Sequence, residues 1–330
     1  MTSRFDIIFI GHFARDTIIT ADGTFSNSLG GGVTFGSLSA HNYNQDQKIG
    51  IFSEVGKNFD KSWLDIFNSE IYLNGVNQSS EHTTHYKIRY FPEGGRTLTL
   101  ESRAKSLEYN HFPSIMANSR SFMISSIANE ISEKFIIDLL EHSTGWIGVD
   151  IQGFIRDFHL DGTIKKEYDD SLIKSTKNII EKCGERLILK ASDDEIKYIA
   201  QNIDVIQSTK HIARLGNFIL CTTLGSHGSL IKYRDEKMIH IPAFIPERGV
   251  ADETGAGDCY LATFLSEYIN SDYTWDEIKR CGYVASCAAS FLLEEKGPHG
   301  FASKKQIDER LQKMKTIPSP FHKKVKYNSF

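Results

Sequence analysis

The sequence predicts an α/β fold with a mostly parallel central sheet, helices on both faces and a small β-sheet lid. Two observations lead to the main part of this prediction. Short apolar runs typical of buried strands recur along the chain, at residues 7–10, 122–124, 146–151, 187–189 and 218–222. Stretches of helical period separate the later runs, at 131–140 and 172–180. Strands that alternate with helices form crossover units, which build parallel sheets covered on both sides.

A third observation places further strands outside the main sheet. Residues 82–90 have the composition of a strand, Pro-Glu-Gly-Gly at 92–95 predicts a turn, and residues 96–100 alternate apolar with polar side chains. This pattern predicts a hairpin with one solvent-exposed face. Residues 16–25 are expected to add one or two strands beside it, and simple insertion loops are the alternative.

Composition narrows the class of protein. The chain has 330 residues, 40% of them hydrophobic, and a formal net charge of −4. Such a chain can form one large domain or two smaller ones, and without a basic excess we expect neither a nucleic-acid nor a membrane partner. No signal peptide or apolar stretch long enough to span a membrane is evident. The five cysteines form no C-x-x-C pair, which predicts reduced thiols and a cytoplasmic location.

The strongest chemical signal is Ala-Asp-Glu-Thr-Gly-Ala-Gly-Asp-Cys-Tyr at residues 251–260. A helical period follows up to Asn270, so Gly255, Ala256 and Gly257 lie where a loop enters a helix. Glycines allow a ligand to approach closely, and the first-turn N–H groups of a helix favour an anion. Asp258 could then take a proton from an attacking hydroxyl while this loop holds a phosphoryl group. A helix-stabilising charge is the alternative interpretation of Asp258, and the local pattern leaves both open.

Residues 252–258 closely resemble the C-terminal signature of the PfkB, or ribokinase-like, carbohydrate kinases, Asp-Thr-x-Gly-Ala-Gly-Asp in its common form. Five further elements resemble that family in order and spacing, at residues 11–16, 30–32, 150–153, 190–195 and 223–228. The resemblance extends to about Gln306. It implies a ribokinase-like three-layer sandwich over residues 1–316, a lid formed by about 14–25 and 81–104, and a C-terminal tail at 317–330.

The resemblance also implies roles for individual residues. It makes Asp258 the catalytic base, with the phosphoryl group held by Gly255, Ala256 and Gly257. ATP binding is implied for Lys190, Ser192, Glu195, Thr223, Gly225, Gly228 and Thr254. Glu195 is expected to act on Mg²⁺ through water, and Asp252 is the candidate for binding a monovalent cation such as K⁺. The acceptor is expected to contact Asp16, Gly31, Gly32, Arg96 and Arg103.

The predicted acceptor is a small polyol or sugar. Gly36 stands where the family usually has Asn, which departs from an ordinary ribose or fructose pocket. Residues 31–35, 152–156 and 190–192 are more similar to the myo-inositol kinase branch than to ribokinases. Nucleoside kinases of archaeal type share some of these features, so a nucleoside is the alternative acceptor.

Other classes of protein remain as rivals. A sugar-binding regulator on a kinase fold is the non-enzymatic alternative, against which Asp258 and its two neighbouring glycines argue. A dinucleotide oxidoreductase would carry G-x-G-x-x-G after the first strand, where this chain has only Gly11. A homodimer through the lid is one arrangement that the predicted architecture permits.

Overall fold

The structure is a computed structural model that describes residues 4–21, 23–67, 69–91, 95–236 and 238–319, without the side chains of 25–27. Most of the predicted 92–95 turn and most of the tail at 317–330 lie outside the described residues. The strands are β1 (Ile7–Ile10), β2 (Ala14–Thr20), β3 (Gly23–Gly30), β4 (Ile49–Gly56), β5 (Ile71–Ser80), β6 (Thr84–Tyr90), β7 (Arg96–Ser102), β8 (Ser121–Ser125), β9 (Trp146–Asp150), β10 (Leu187–Ser192), β11 (Ile219–Thr223), β12 (Ser229–Tyr233) and β13 (Ile239–Ile241). The α-helices are α1 (Gly32–Tyr43), α2 (Ser114–Ala117), α3 (Glu133–His142), α4 (Asp170–Cys183), α5 (Asp193–Ala200), α6 (Val205–Ile212), α7 (Ala256–Tyr268), α8 (Trp275–Leu292) and α9 (Lys304–Lys313).

Nine strands form the main sheet, in the order β13-β12-β11-β10-β9-β8-β1-β4-β5. All neighbours from β11 to β5 pair in parallel, and only β12 and β13 add antiparallel pairs at one edge. The predicted α/β fold with a mostly parallel sheet is therefore confirmed. Parallel pairing also brings the carboxyl ends of β8, β9, β10 and β11 to one edge of the sheet, where open α/β sheets bind ligands.

Helices cover both faces of this sheet. Ile8 and Ile10 of β1 pack into one core with α3 to α6, whereas Ile7 and Phe9 pack into a second core with α1, α7 and α8. Successive side chains of a strand point to opposite faces, so a central strand between two helical layers must be apolar at every position. This explains why β1 was predictable from its continuous apolar run.

A smaller, separate sheet has the strand order β3-β2-β6-β7. The predicted hairpin is formed by β6 and β7, and β2 pairs in parallel with β6. The inner face of this small sheet packs through Ala14, Tyr86 and Ile88 onto Ile127 and Ala128 of the main body. The small sheet therefore lies beside the ligand-binding edge of the main sheet.

Some elements differ from the sequence predictions or were not predicted. The sequence also predicts a helix over residues 285–297, and the structure has a helix there that begins ten residues earlier, at Trp275, and ends at Leu292. Helix α1 was not predicted, because it is buried at almost every position and its sequence has no amphipathic period. Within the described residues, no helix combines the length and apolar character needed to cross a bilayer. All five cysteines are buried and free, as the sequence predicts.

Candidate active site

A cleft lies between the small sheet and the ligand-binding edge of the main sheet. Its floor and walls come from both sheets, from α1 and from the start of α7. The residues lining it are Ala14, Asp16, Gly31, Gly32, Phe35, Tyr86, Ile88, Arg96, Leu98, Ile127, Gln152, Arg156, Thr254, Gly255 and Asp258. Seven of these were predicted to be site residues: Asp16, Gly31, Gly32, Arg96, Thr254, Gly255 and Asp258.

Asp258 lies in the first turn of α7, enclosed by protein except where it faces the cleft. The Ser125 hydroxyl at the end of β8 donates to Asp258 Oδ1 across 3.2 Å. Burial and the negative charge of Asp150 raise the pKa of Asp258 to about 7, although Lys190, Ser125 and Arg156 act in the opposite direction. A carboxyl group with a pKa near neutrality is well matched to taking up a proton during catalysis.

The loop before α7 has the geometry of an anion-binding site. Gly255 caps the helix in the left-handed conformation at φ 78°, and a side chain there would meet the Phe35 ring at 2.2 Å. A Cβ at Gly257 would lie 2.8 Å from Lys190 Nζ. Because the helix begins at Ala256, the Lys190 ammonium lies beside its first turn, where the N–H groups of a helix favour an anion.

Lys190 is buried and paired. Its Nζ lies 2.9 Å from Asp150 Oδ2 and 3.9 Å from Glu195 Oε2. Burial opposes the charge, but these two carboxylates outweigh it and raise the pKa of Lys190 above its ordinary value. Lys190 is therefore a fixed positive charge beside the first turn of α7.

Glu195 and Ser192 form a capping box at the start of α5. Ser192 N donates to Glu195 Oε2 at 2.6 Å, and Glu195 N donates to Ser192 Oγ at 3.3 Å. Glu195 Oε1 has no hydrogen-bond partner within the described part of the chain. The helix-capping interpretation thus accounts for one carboxylate oxygen and leaves the other available to order water.

The predicted nucleotide loop joins β11 and β12, which pair as an antiparallel hairpin. Gly225 has φ 57°, with open space where a side chain would stand, and Gly228 has φ 86°. A Cβ at Gly228 would come within 2.0 Å of the Ile241 carbonyl oxygen, so the hairpin itself requires this glycine. Thr223 ends β11, and its hydroxyl donates to the Ala191 carbonyl at 3.4 Å. These three residues lie outside the cleft lining, beyond Lys190 and Glu195 along the same sheet edge.

Asp16 lies on the inner side of β2, with 6% of its surface exposed. Burial raises its pKa to about 7, Arg96 acts against this shift and Asp252 adds to it. A carboxyl group at this position can accept hydrogen bonds from two neighbouring hydroxyls of a ligand. Asp16 thus supplies a second acidic group in the cleft that holds Asp258.

Three glycines bring the two acidic groups together. A Cβ at Gly30 would lie 2.0 Å from Asp16 Oδ2, and one at Gly32 would lie 2.6 Å from Asp258 Oδ1. Gly31 between them has φ 92°, and its Cβ would meet the His12 carbonyl at 2.4 Å. Since two residues of chain span at most about 7 Å, both acidic groups flank one short glycine segment.

The two predicted arginines lie in different places. Arg96 Nη1 lines the cleft and donates to the Tyr90 hydroxyl at 3.2 Å and to Thr254 Oγ1 at 3.4 Å. Arg103 donates to the Ala128 carbonyl at 3.1 Å and lies outside the cleft lining. The geometry brings Arg96 to the loop at residues 251–255 before α7, called the phosphate loop after its predicted role, and holds Arg103 against the main body.

Asp252 holds neighbouring segments of chain together. Its Oδ1 accepts from Thr254 N at 2.9 Å and from the Tyr90 hydroxyl at 3.2 Å, and its Oδ2 accepts from Gly297 N at 3.1 Å. Both oxygens therefore already have protein donors, and binding of a monovalent cation by Asp252 stays a prediction.

Four polar residues of the site were not among the predicted site residues: Tyr90, Ser125, Gln152 and Arg156. Ser125 ends β8, as Asp150 ends β9. The rule that ligands bind at the carboxyl ends of parallel strands could have found Ser125 from the strand predicted at 122–124. Tyr90 had no such signal, because its contact depends on how the small sheet packs.

The arrangement can carry out phosphoryl transfer. Asp258 and Asp16 share one cleft with the start of α7, and the positive charge of Lys190 lies beside the first turn of that helix. Catalysis of phosphoryl transfer consists mainly of positioning and electrostatic stabilisation, and these groups supply both.

Comparisons with known proteins agree with this chemistry. The family model described as pfkB family carbohydrate kinase matches residues 162–305. The cytidine kinase of Thermococcus kodakarensis is 26% identical over 265 residues, which cover 80% of this chain and 88% of that enzyme. A nucleoside kinase of Methanocaldococcus jannaschii is 40% identical over 95 residues, 28% of this chain and 30% of that protein.

Solved structures show the same fold. The structure of a pyrophosphate-dependent kinase in the ribokinase family, complexed with a pyrophosphate analog and myo-inositol, superimposes with a TM-score of 0.71 at 18% identity, covering 93% of this chain and 100% of that one. The Methanocaldococcus jannaschii nucleoside kinase gives a TM-score of 0.68 at 20% identity, covering 94% and 99%. The chain is a kinase with a ribokinase-like fold. Residues 162–305 match the model of the pfkB family of carbohydrate kinases, and the fold agrees with that match.

Proposed function

We propose that this kinase transfers a phosphoryl group from ATP to a hydroxyl of a nucleoside, with Asp258 as the base. The observation that carries the proposal is the placement of Asp16 and Asp258 against the two ends of one glycine segment, in a cleft that apolar and aromatic side chains also line. Asp16 would bind a pair of sugar hydroxyls, while Asp258 receives the proton of the hydroxyl that attacks phosphorus.

The apolar and aromatic lining of the cleft favours a nucleoside over the polyol that the sequence predicts as the acceptor. A cyclic polyol offers a hydroxyl or an edge in almost every direction, whereas a nucleoside has a polar sugar and a flat base. Beside its polar groups, the cleft is lined by the apolar or aromatic side chains of Phe35, Tyr86, Ile88, Leu98 and Ile127. Such side chains suit the faces of a nucleobase and leave polyol hydroxyls unpaired.

The sequence relatives support the same choice. The cytidine kinase relative spans most of this chain, and a second relative is also named a nucleoside kinase. A polyol such as myo-inositol is the second candidate, because residues 31–35, 152–156 and 190–192 resemble the inositol kinase branch and a fold neighbour was solved with myo-inositol. The two acceptors demand different pockets, so they can be distinguished directly.

The reaction balances within the cleft. The acceptor oxygen forms a bond to the terminal phosphorus of ATP, the bond to the bridging oxygen breaks, and ADP leaves with that electron pair. Asp258 takes the hydroxyl proton. The first-turn N–H groups of α7 and the Lys190 ammonium would stabilise the charge on the transferring group.

Mg²⁺ and K⁺ are also part of the proposal. Mg²⁺ would neutralise donor phosphate charge, and the available Oε1 of Glu195 would order its bound water. No group of three metal-binding side chains occurs in the described residues, which fits an ion held mainly by phosphates and water. We place K⁺, where required, at Asp252. The small sheet would act as a lid over the cleft. The five free cysteines are consistent with a location in the reducing cytoplasm.

An acceptor screen tests the proposed function. The enzyme is incubated with ATP and Mg²⁺ and with cytidine, other nucleosides, inositols, pentoses or hexoses, and phosphorylated products are identified by ³¹P NMR. We expect a nucleoside to give the highest kcat/KM and a phosphomonoester product. Turnover of inositols or free sugars with none of any nucleoside would establish the second candidate. Parallel reactions with pyrophosphate show whether ATP is the donor.

A further inference from the structure

The hydroxyl of Tyr90 joins the small sheet to the phosphate loop. Tyr90 is the last residue of β6, and its hydroxyl lies 2.9 Å from Thr254 Oγ1 and 3.2 Å from Asp252 Oδ1. Arg96, the first residue of β7, donates to the same hydroxyl at 3.2 Å. The free end of the β6–β7 hairpin is thereby fastened to the loop that begins α7.

The partners of this hydroxyl are themselves tied to the phosphate loop. Thr254 immediately precedes Gly255, the left-handed residue at which the loop turns into α7. Asp252 accepts from Thr254 N through the same oxygen that accepts from Tyr90, and its other oxygen accepts from Gly297 N. A displacement of the Tyr90 hydroxyl would therefore reach the residue that sets the direction of the first-turn N–H groups.

The contact joins two parts of the chain that are distant in sequence and lie in different parts of the fold. Tyr90 and Thr254 are 164 residues apart, and the strand that carries Tyr90 belongs to a sheet separate from the main one. When the small sheet moves away from the cleft, this hydrogen bond must break, because strand β6 carries the hydroxyl with it. The contact is therefore specific to the arrangement in which the small sheet covers the cleft.

We infer that Tyr90 is a positioning residue that fastens the small sheet to the phosphate loop, so that the loop is held in its transfer geometry only while the sheet covers the cleft. The inference rests on the proposed phosphoryl transfer and deepens it. It predicts that phosphoryl transfer to water is slow, because the loop is not held in place when the sheet leaves the cleft open to solvent.

A double-mutant cycle of Tyr90→Phe and Thr254→Val tests the inference. Both substitutions remove only the hydroxyl function and nearly conserve volume. We expect Tyr90→Phe to lower kcat about three- to tenfold, the scale of one hydrogen bond, with acceptor KM changed less than twofold. The ratio of ATP hydrolysis to acceptor phosphorylation should rise. Thr254→Val should lower kcat by a clearly smaller factor in the Tyr90→Phe background than in the wild type.

Tyr168→Phe is the matched control, because Tyr168 is 55% exposed and lies outside the cleft lining. It should leave kcat and the hydrolysis ratio unchanged. Additive effects of Tyr90→Phe and Thr254→Val, or a Tyr90→Phe enzyme with wild-type kcat and hydrolysis ratio, would overturn the inference.

Hydrogen exchange separates this inference from the proposed function. In ligand-free protein, the amides of Thr84–Tyr90 and Arg96–Ser102 should exchange faster in Tyr90→Phe than in the wild type or in Tyr168→Phe. If the wild type phosphorylates no acceptor, the proposed function is wrong. The exchange rates alone would then decide whether Tyr90 holds the small sheet to the phosphate loop. Unchanged exchange in both strands would contradict it.

Discussion

Gly32 lies against the carboxylate of Asp258, so closely that a Cβ at position 32 would come within 2.6 Å of Oδ1 and 2.5 Å of the Ser125 Cβ. The resemblance implied that Gly32 makes room for the acceptor. The structure gives it another partner, because the glycine also leaves room for the proposed base and for the hydroxyl that donates to it. One short segment of chain therefore controls both the acceptor floor and the position of Asp258.

Gly32→Ala tests this relationship. The added methyl group must displace either Asp258 or Ser125, so we expect kcat to fall at least about tenfold, since small displacements of a catalytic group are costly. Gly216→Ala is the control: its backbone is extended, and the nearest atom to an added Cβ lies 3.4 Å away. Equal kcat values for both variants and the wild type would show that Gly32 does not constrain the base.

Ser125→Ala should move the pH dependence of kcat. The Ser125 hydroxyl stabilises the charged form of Asp258, whose pKa is about 7. Loss of this hydroxyl should raise that pKa further. The decline of kcat at low pH, measured at saturating acceptor and called the acid limb, should then shift to higher pH. Asp150→Asn should shift the limb to lower pH, because the charge of Asp150 raises the pKa of Asp258.

Ser126→Ala serves as the control for these profiles, because the Ser126 hydroxyl donates to Glu130 and not to Asp258. Shifts of the same sign in Ser125→Ala and Asp150→Asn would contradict the assignment of the acid limb to Asp258.

Two variants can separate a structural role of Lys190 from the proposed catalytic one. Lys190→Met leaves Asp150 buried and without its cation, which should cost about 3–5 kcal/mol in the free energy of unfolding. Adding Asp150→Leu removes the unpaired charge and should recover part of that stability without recovering activity. Denaturant unfolding and kcat are measured on both variants. Recovery of activity together with stability would mean that Lys190 acts only through folding.

Asp16→Asn should weaken acceptor binding and stabilise the fold. Loss of a charge-assisted hydrogen bond to the acceptor predicts an increase in KM of about ten- to a hundredfold. Burial raises the pKa of Asp16 from an ordinary 3.8 to about 7, so the folded state binds more protons than the unfolded state between these values. Wild-type stability thus falls as pH rises through this window. The Tm advantage of Asp16→Asn should be full above pH 7 and vanish near pH 4.

The exposed Asp46 provides the control, and Asp46→Asn should change neither KM nor the pH dependence of Tm. An Asp16→Asn variant that is less stable than the wild type at pH 8 would contradict the claim that the buried carboxylate of Asp16 destabilises the folded state.

The fold was predictable where burial imposes a simple period. Strand β1 is apolar throughout because helices cover both faces of the sheet, and β6 with β7 alternates because one face is exposed. Strand β4 escaped prediction because Gly50, Ser53, Glu54 and Gly56 interrupt its apolar run, although all eight positions are buried. Glu54 is held there by Ser79 and Ser80 of β5, a contact that no local pattern reveals.

The site divides in the same way. Residues 254–258 form a continuous motif that local sequence marks as a candidate anion-binding loop, and the family resemblance then gives Asp258 its predicted role. The contacts of Ser125 with Asp258 and of Tyr90 with Thr254 join residues 133 and 164 positions apart. Such contacts depend on the register of β8 and on the packing of the small sheet, so only the tertiary structure brings them together.

Asp258→Asn tests the central claim most directly. The amide is isosteric and cannot take the hydroxyl proton, so kcat for acceptor phosphorylation should fall on the order of a hundredfold or more, with the affinity for ATP nearly unchanged. Asp235→Asn, at an exposed acid outside the cleft lining, should retain wild-type kcat. An Asp258→Asn enzyme that keeps wild-type kcat at saturating acceptor would contradict the assignment of Asp258 as the base.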